Sequence, residues 1–560
     1  MIVLKRLSPR NTPLNSSLIT QQGLTDNLGV VLGVSRRDSD IKQNRIVNKE
    51  GDIDSRQQKR RSDNVMANFT WQAGADSTLD VNLRYSSYEE RLFWGDTVGN
   101  NFVDQHRAFG LTTQWQQRLS SGQLKATVAY DNYHDDRDSN SSSVVTVVDP
   151  DTFDSYVNGG YGDSRINQET TQLKLDYSHD SLNFAGAKHD LTSGVQFNYT
   201  RYRFERDQDV FGKVIFFRDE ENLEASAGSA NASYSQAVIY LEDQITKGDW
   251  SFRPGFRLEK DDYLERTNLA PRFAVNWQAL DDTRLTFGAN RYYGRSFAAM
   301  KLNEKVAVLN KDKSRRFKKI EGLKSPFSDE LTLGINQRLG NFLLVARYNN
   351  RKYHDRLVYD QTENPEKYIN GKTFKADIYT LQISNIRPWV LGQTQWQGTL
   401  AADYLDTDRT DVAANEFRDS VGYLDGKKMT RREMEEKVNS NSEEWTVRLN
   451  LDMDLPQYRV KWSNRVYVKA PVKGYSRITR DVKDKIDAFK SYDYGSHTQW
   501  DTKLRWTIPV VRNQKAYLQF EVLNVLNKVR RLETQGNSNK GEFSIYSPGR
   551  QFWLEAGYQF

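Results

Sequence analysis

The chain has 560 residues, no cysteine, 28% charged residues and 37% hydrophobic residues, with a mean hydropathy of −0.78. It contains no run of about 18 apolar residues, which excludes a helical membrane protein. The 12% aromatic content is too high for a disordered chain. The net charge of +6, from 80 basic and 74 acidic residues, does not predict nucleic-acid binding, which usually needs a concentrated basic face. A closed transmembrane barrel passes these tests, because only alternate strand residues must be apolar.

In chain order, the predicted elements are β-strands, because apolar and polar residues alternate with a period of two. Leu79, Val81 and Leu83 alternate with Asp80 and Asn82, for example. Strands of about 9–13 residues exceed the usual globular length and suit a tilted bilayer crossing. About 20 strands are predicted, with cores at 28–36, 64–72, 78–88, 106–118, 123–133, 168–178, 191–203, 234–245, 249–259, 270–278, 283–292, 328–338, 341–350, 374–385, 394–404, 444–454, 457–468, 498–508, 514–525 and 550–560.

The connections mostly alternate between short and long. Short turns include 73–77, 119–122 and 339–340, whereas long loops include 37–63, 134–167, 204–233, 293–327, 405–443, 469–497 and 526–549. Such a meander is typical of outer-membrane barrels, with short periplasmic turns and long extracellular loops. A Greek-key sandwich or a propeller would not give this register. The predicted fold is therefore an all-β, antiparallel, up-and-down transmembrane barrel.

Several segments resemble TonB-dependent outer-membrane receptors. The chain closes on Pro548, Gly549, Arg550 and Phe552, followed by Tyr558 and Phe560, as members of that family do. The penultimate segment, 520–528, resembles the family's aliphatic strand that breaks at an Asn-rich corner. Weaker resemblances occur at 237–243 with 255–259, at 270–275 and at 328–334. Together these motifs place the barrel of the family over about residues 20 to 560.

The resemblance implies about 22 strands, two more than are predicted here, and an N-terminal plug with an energy-coupling box. Neither the plug nor a signal peptide is recognisable, although 1–22 can supply part of a missing strand. We therefore divide the chain into 1–22, a possible remnant of an earlier barrel strand, and 23–560, the barrel. A truncated sequence, a separately encoded plug and a naturally plugless barrel all remain open.

No catalytic or metal site is predicted. The six histidines form no HxH or HExxH pair, which argues against a zinc hydrolase. His106 and His134 lie at the rims of long loops and are either ligand contacts or solvated histidines. The acidic pairs 135–136, 149–151 and 261–262 lack EF-hand spacing, so divalent-cation binding there stays an open alternative. No cofactor is expected.

One long loop, 293–327, carries a dense basic run. The run suits an anionic ligand such as a ferric siderophore, because tyrosine and arginine combine aromatic contact with charge-assisted hydrogen bonds. The alternative is that the run faces the acidic lipopolysaccharide surface. The candidate ligand-binding residues are Arg291, Tyr292, Tyr293, Arg295, Arg315, Arg316, Lys318 and Lys319.

The resemblance implies a non-enzymatic receptor, integral to the outer membrane of a Gram-negative bacterium. Its expected role is energised import of a scarce ligand, most plausibly a ferric siderophore. The expected partners are outer-membrane lipid, lipopolysaccharide and the TonB complex, which acts through the missing plug. Two other functions remain open: a plugless diffusion pore, and a surface adhesin or phage attachment protein.

Overall fold

The computed structural model describes most of the chain. The described residues are 2–7, 14–48, 52–95, 97–148, 155–216, 219–294, 296–310, 322–360, 367–408, 421–430, 433–434, 437, 443–481, 486–510, 514–535 and 543–559. Among these residues, no helix has both the length and the apolar character needed to cross a membrane.

One antiparallel sheet of 24 strands dominates the fold. Two of its strands, Leu182–Phe184 and Trp389–Leu391, are three-residue segments beside turns. The other 22 are the wall strands, numbered here β1 to β22: Ile2–Leu7, Leu14–Thr25, Leu28–Ile46, Ile53–Gly74, Ser77–Leu92, Phe102–Leu119, Gly122–Ser139, Ser164–His179, Ala187–Arg206, Gly228–Lys247, Trp250–Asp261, Thr267–Leu280, Thr283–Tyr292, Phe327–Leu339, Phe342–His354, Phe374–Asn385, Thr394–Asp408, Trp445–Leu455, Val460–Lys469, His497–Pro509, Lys515–Leu523 and Gln551–Gln559.

The sheet closes into a barrel because its first and last strands pair. Ile2 of β1 is opposite Leu18 of β2 on one side and Tyr558 of β22 on the other. The pairing of the first and last strands closes the sheet on itself, which is how a β-structure satisfies its backbone groups in lipid. The predicted barrel is confirmed, and its count of about 20 strands falls short by β1 and β2. The segment 1–22 contains β1 and most of β2.

The two faces of the wall differ in chemistry. Outward side chains such as Leu504, Trp506 and Phe520 are apolar and exposed, as a lipid-facing surface should be. Inward side chains are polar and often ion-paired. Arg84 of β5 reaches Asp131 of β7 across the intervening strand, with 3.4 Å between Nη2 and Oδ1. Gly110 of β6 permits this, because a Cβ there would lie 2.7 Å from the Asp131 carboxylate.

Short turns join the wall strands at one end and longer loops at the other, as predicted. Turns at 26–27, 75–76, 120–121 and 340–341 separate neighbouring strands by two residues. The predicted loop 37–63 is mostly strand, because β3 and β4 continue as a paired hairpin to Ile46 and Ile53. This extension is polar on both faces, so its sequence does not show the apolar alternation of the lipid-facing part.

The long loops carry their own small elements. A five-stranded sheet comprises Thr97–Val98, Ser143–Val148, Ser155–Gly159, Val210–Phe216 and Asp219–Ala225, and a four-stranded sheet comprises Val421–Leu424, Lys427–Thr430, Lys473–Asp481 and Ile486–Asp493. Two hairpins pair Leu357–Asp360 with Lys367–Asn370 and Arg531–Gln535 with Phe543–Tyr546. A 3₁₀ turn, Pro456–Tyr458, follows β18, and an α-helix, α1, spans Ala298–Leu309.

Candidate functional site

A stack of three rings lines the inner wall at the long-loop end of the barrel. Tyr88 of β5, His106 of β6 and Tyr133 of β7 have ring centroids 5.8 Å and 6.1 Å apart, with interplanar angles of 15° and 11°. Their positions differ by three from the outward Tyr85, Phe109 and Tyr130, so they project into the lumen. We call Tyr88, His106 and Tyr133 the ring stack.

The ring stack carries polar groups that are already oriented. His106 Nδ1 lies 2.8 Å from the Tyr133 hydroxyl and 3.1 Å from Asp135 Oδ1. Tyr88 donates a 2.8 Å hydrogen bond to Glu90, which also pairs with Arg60. The His106 side chain is one-third exposed, so part of the imidazole is accessible from the lumen.

A partly buried arginine borders the ring stack on the loop side. Arg137 makes two hydrogen bonds to Asp104, of 2.9 Å and 3.2 Å. Its guanidinium lies 4.9 Å from the Phe102 ring centroid and 5.8 Å from that of Trp94. Aromatic surface, hydroxyl groups and guanidinium therefore occur together, which suits an oxygen-rich anionic ligand.

Helix α1 occupies a different part of the same end of the barrel. Its buried Leu302 packs against Phe204 of β9 and against Ala230 and Ala232 of β10. These three residues lie on the inward face, because Phe197 and Ile239, at opposite parity, are exposed on the outer face. Helix α1, in the segment between β13 and β14, thus packs on the inner face of the wall.

Polar contacts fasten α1 in that position. Lys301 Nζ donates to Asp262 Oδ1 at 2.7 Å and to the Ser233 carbonyl at 2.9 Å. Tyr263 hydrogen-bonds Glu304. At the end of the helix, Arg206 donates to the Asn310 side chain at 2.8 Å. One lysine of the predicted basic run is therefore already paired with the barrel.

The predicted ligand-binding residues are divided between the two faces of the wall. Tyr292 points inward, with the Arg272 guanidinium 5.3 Å from its ring centroid. Arg291 and Tyr293, one position away on either side, point outward, and Arg291 makes hydrogen bonds of 2.7 Å and 2.9 Å to Asp329. The remaining members lie outside the described residues: Arg295, Arg315, Arg316, Lys318 and Lys319.

The sequence analysis did not predict the ring stack, although the alternation of residues along β5, β6 and β7 places all three side chains on the lumen face. His106 stood among the histidines placed at loop rims, whereas the structure puts it inside β6 and facing the lumen. His134, its apparent equivalent, faces outward from β7. Among the described residues, no group of three or more histidines and acidic residues is arranged to hold a metal ion.

The C-terminal motif forms a structural corner. Asn524 is buried and adopts a positive φ of 53°, a conformation that asparagine tolerates better than most residues. Its side-chain amide donates to the carbonyls of Lys528, at 2.8 Å, and Pro548, at 3.0 Å. The backbone amide of Arg550 donates to the Asn527 side chain at 2.9 Å. This corner fixes where β22 begins.

The rest of the motif follows along β22. Gly549 lies beside Asn527, whose Oδ1 would be 3.2 Å from an added Cβ. Phe552 faces outward, with its ring centroid 6.3 Å from that of Phe520. Tyr558 donates to Gln514 in the last short turn. Phe560 lies outside the described residues.

The long loops are tied together by a buried ion pair. Arg530, whose side chain is 7% exposed, lies 2.6 Å from Glu443, which also accepts from Lys469 at 2.8 Å. Burial raises the pKa of the Glu443 carboxyl, but the hydrogen bonds from Lys469 and Arg530 outweigh it and lower the pKa overall. Two loops and the end of β19 therefore converge on one carboxylate.

Comparison with known proteins places this architecture in a family. The model for the β-barrel of TonB dependent receptor-like proteins matches residues 51–527. The uncharacterized protein YddB of Escherichia coli K12 is 24% identical over 589 residues, which cover 97% of this chain and 72% of that protein.

Solved structures agree on the fold. The outer membrane transporter YddB from E. coli has a TM-score of 0.81 at 22% identity, over 99% of this chain and 76% of that one. The ferric-catecholate import receptor Fiu from E. coli has a TM-score of 0.65 at 10% identity, over 100% and 81%. FpvA from Pseudomonas aeruginosa, solved with ferric pyoverdine, has a TM-score of 0.67 at 10% identity, over 99% and 71%. The closed barrel and the family match together show that this chain belongs to the TonB-dependent receptor-like β-barrel family and is an integral outer-membrane protein.

Proposed function

We propose that the protein imports an iron–siderophore-type chelate, which binds in the extracellular mouth between the ring stack and α1. The ring stack is the observation that carries this proposal. Tyr88, His106 and Tyr133 project into the lumen from three neighbouring strands, with Arg60 and Arg137 close by. An anionic, oxygen-rich chelate matches that combination of aromatic surface and donors.

Some relatives support the ligand class. Fiu is described as a ferric-catecholate import receptor, and FpvA was solved with ferric pyoverdine. Tyr292, with Arg272 over its ring, adds a further aromatic and cationic contact on the inner face. The basic residues of loop 293–327 would attract the anionic chelate toward the mouth over distances of about a Debye length.

Energy for import would come from the TonB complex, acting through a plug polypeptide inside the lumen. The inner wall suits such a partner, since its charged side chains are paired yet accessible. Arg84 and Asp131 have side-chain exposures of 56% and 53%, for example. A plug would cover these groups and add further hydrogen bonds to them.

The experiment is a binding titration of the purified chain with ferric catecholate, ferric hydroxamate and ferric citrate, followed by tryptophan fluorescence quenching. His106→Ala combined with Tyr133→Phe should weaken binding of the preferred chelate by about tenfold, as expected for losing two polar contacts. His134→Ala is the matched control, because that imidazole faces outward on the neighbouring strand. Unchanged affinity in the double variant, or no binding of any chelate, would refute the proposal.

A diffusion pore is the second candidate, because the described wall closes around a charged lumen. A pore should give large, ungated conductance in planar bilayers without any added polypeptide. An importer should conduct little once a plug is supplied in trans. Conductance that is indifferent to an added plug would favour the pore.

A further inference from the structure

A polar pocket of about 280 Å³ lies on the inner wall of the barrel. These side chains point into the lumen, because their chain neighbours Leu175, Leu241 and Phe273 are exposed on the outer face. We call this cavity the wall pocket. Its polar lining side chains come from five neighbouring strands, β8 to β12, and are Lys174, Asp176, Gln196, Tyr240, Glu242, Arg257 and Arg272.

A glycine on β9 shapes one side of the wall pocket. Gly194 stands between Asp176 of β8 and Tyr240 of β10 in the cross-strand register. A Cβ at Gly194 would collide with the Tyr240 hydroxyl group. Because this position carries no side chain, Tyr240 lies across it and donates a hydrogen bond to Asp176. The tyrosine is therefore fixed against the wall and does not fill the pocket.

A second glycine, on β11, opens the other side. Gly255 stands between Glu242 of β10 and Arg272 of β12 in the cross-strand register. No side chain therefore separates these two residues, whose strands are roughly 10 Å apart. A Cβ at Gly255 would lie 3.0 Å from the Leu241 carbonyl oxygen, so a larger residue would crowd the backbone. Glycine inside a strand is typical of places where another group approaches closely.

Most charges around the wall pocket are paired one to one. The three pairs are Lys174 with Asp176 at 2.9 Å, Arg257 with Glu259 at 3.1 Å and Arg253 with Glu242 at 3.8 Å. Asp261, further along β11, accepts from the backbone amides of Tyr263 and Leu264 at 2.8 Å and 2.9 Å. These contacts leave Arg272 as the surplus cation of the pocket.

Arg272 is held in position without a carboxylate partner. Within the part of the chain that the structure describes, it forms no ion pair, and its buried Nε atom has no hydrogen-bond partner. Its guanidinium lies 5.3 Å from the centroid of the Tyr292 ring, which orients the planar group. Because a partly buried cation without a partner is costly, an anion in the pocket would be stabilised by this arginine.

We propose that the wall pocket is a binding subsite for a carboxylate group of a small molecule inside the lumen, with Arg272 as its anchor. A carboxylate accepts two parallel hydrogen bonds from one guanidinium, a geometry that an ammonium group cannot offer. The ring of Tyr292 orients the guanidinium before the ligand arrives, which lowers the entropy lost on binding. The volume of about 280 Å³ suits a small polycarboxylate or one end of a larger molecule.

The wall pocket is separate from the ring stack and lies nearer the periplasmic turns. Tyr240 is seven residues from the short-turn end of β10, at Lys247, whereas Tyr133 is eleven residues from that end of β7, at Gly122. A molecule moving inward from the mouth would meet the ring stack first. The subsite rests on the proposed function only for the identity of the imported ligand, since the purified chain would bind a free carboxylate by itself.

The test is isothermal titration calorimetry of the purified full chain in detergent, with metal-free citrate as the probe. Trimethyl citrate, the uncharged ester of the same skeleton, should not bind. Arg272→Gln should weaken citrate binding about tenfold, and Arg272→Lys should weaken it less, because lysine keeps the charge but loses the planar fork. Arg284→Gln is the matched control, since Arg284 faces the lumen from β13, three positions from the outward Phe287, and does not line the pocket.

Correct folding of each variant is checked by its heat-modifiable migration on gels. His106→Ala combined with Tyr133→Phe should leave citrate binding unchanged, so failure of the ring-stack proposal is read out separately. Absence of citrate binding, equal binding of citrate and its ester, or equal affinity in wild type and Arg272→Gln would overturn the proposal. It would also be overturned if an acidic peptide bound through Arg272 and citrate did not, because the pocket would then hold a polypeptide side chain.

Discussion

Tyr517 of β21 lies against Gly557 of β22 on the inner face of the barrel. A Cβ built at Gly557 would be 2.2 Å from the Tyr517 ring, and the Arg505 guanidinium lies 3.8 Å from the centroid of that ring. The Tyr517 hydroxyl donates to Glu555 at 2.7 Å. This pair lies in the strands beside the seam where the barrel closes, so we expect its packing to matter for closure.

Gly557→Ala should destabilise the barrel by about 1–3 kcal/mol, because the added methyl group displaces the tyrosine ring. The measurement is the urea midpoint of unfolding in lipid vesicles. Gly29→Ala is the control, since a Cβ at Gly29 meets nothing within 4 Å. Equal midpoints for the two variants would show that the Tyr517 ring moves aside freely.

Asn524→Ala should loosen the corner before β22, because it removes the hydrogen bonds to Lys528 and Pro548 and strains a positive φ. A loss of about 2–3 kcal/mol combines the two lost hydrogen bonds with the backbone cost. Asn524→Gly separates these effects, since glycine keeps the conformation but not the hydrogen bonds. The rates of proteolysis within 524–550 should rank wild type slowest and Asn524→Ala fastest. Identical rates for the glycine and alanine variants would remove the backbone part of the argument.

The junction of loops at Glu443 should depend on pH. Because the folded pKa of Glu443 is lowered, its stabilisation is present above the ordinary glutamate pKa of about 4.3 and is lost as pH falls through the folded value. The protection of amides at 443–444 and 524–530 against hydrogen exchange, corrected for the intrinsic exchange rate at each pH, should therefore fall on acidification. Glu443→Gln should exchange rapidly at neutral pH as well. Asp281→Asn, in a turn at the opposite end, should leave the pH profile unchanged.

The inward position of α1 should limit ion flow through the barrel. Leu302→Glu places a charge against Phe204 and Ala232, which costs several kcal/mol when buried and should release the helix from the wall. Single-channel conductance in planar bilayers is then expected to rise or fluctuate. Val308→Glu on the same helix is the control, because Val308 is 77% exposed. Identical traces from both variants would mean that α1 does not restrict the lumen.

The alternation of apolar and polar residues predicted the wall strands where one face meets lipid. It did not predict the parts of strands that extend beyond the membrane, because neither face is apolar there. β3 and β4 continue beyond the membrane as the polar hairpin, so the predicted loop 37–63 shows no apolar alternation. β1 and β2 were missed for a related reason, because β1 has only six residues and β2 carries few large apolar residues. In neither segment do apolar and polar residues alternate clearly enough to predict a strand.

The basic cluster is grouped by proximity in sequence, which does not tell which face of the wall each residue occupies. Consecutive strand residues point to opposite faces, so Arg291 and Tyr292 do not share one surface. The same alternation predicts that the His106 side chain faces the lumen, because it lies three positions from the outward Phe109. The inward packing of α1 depends on contacts with β9 and β10, which lie more than fifty residues earlier. The sequence of the helix alone therefore does not predict which strands it packs against.

The pairing of Ile2 with Tyr558 brings the two ends of the described chain side by side at the periplasmic rim. A short peptide linking them would add little strain, so the protein is a candidate for circular permutation, with new ends opened in an exposed turn such as 340–341. The same geometry means that a polypeptide fused ahead of Ile2 would emerge next to the lumen entrance. A plug attached there would need only a short tether to reach the interior.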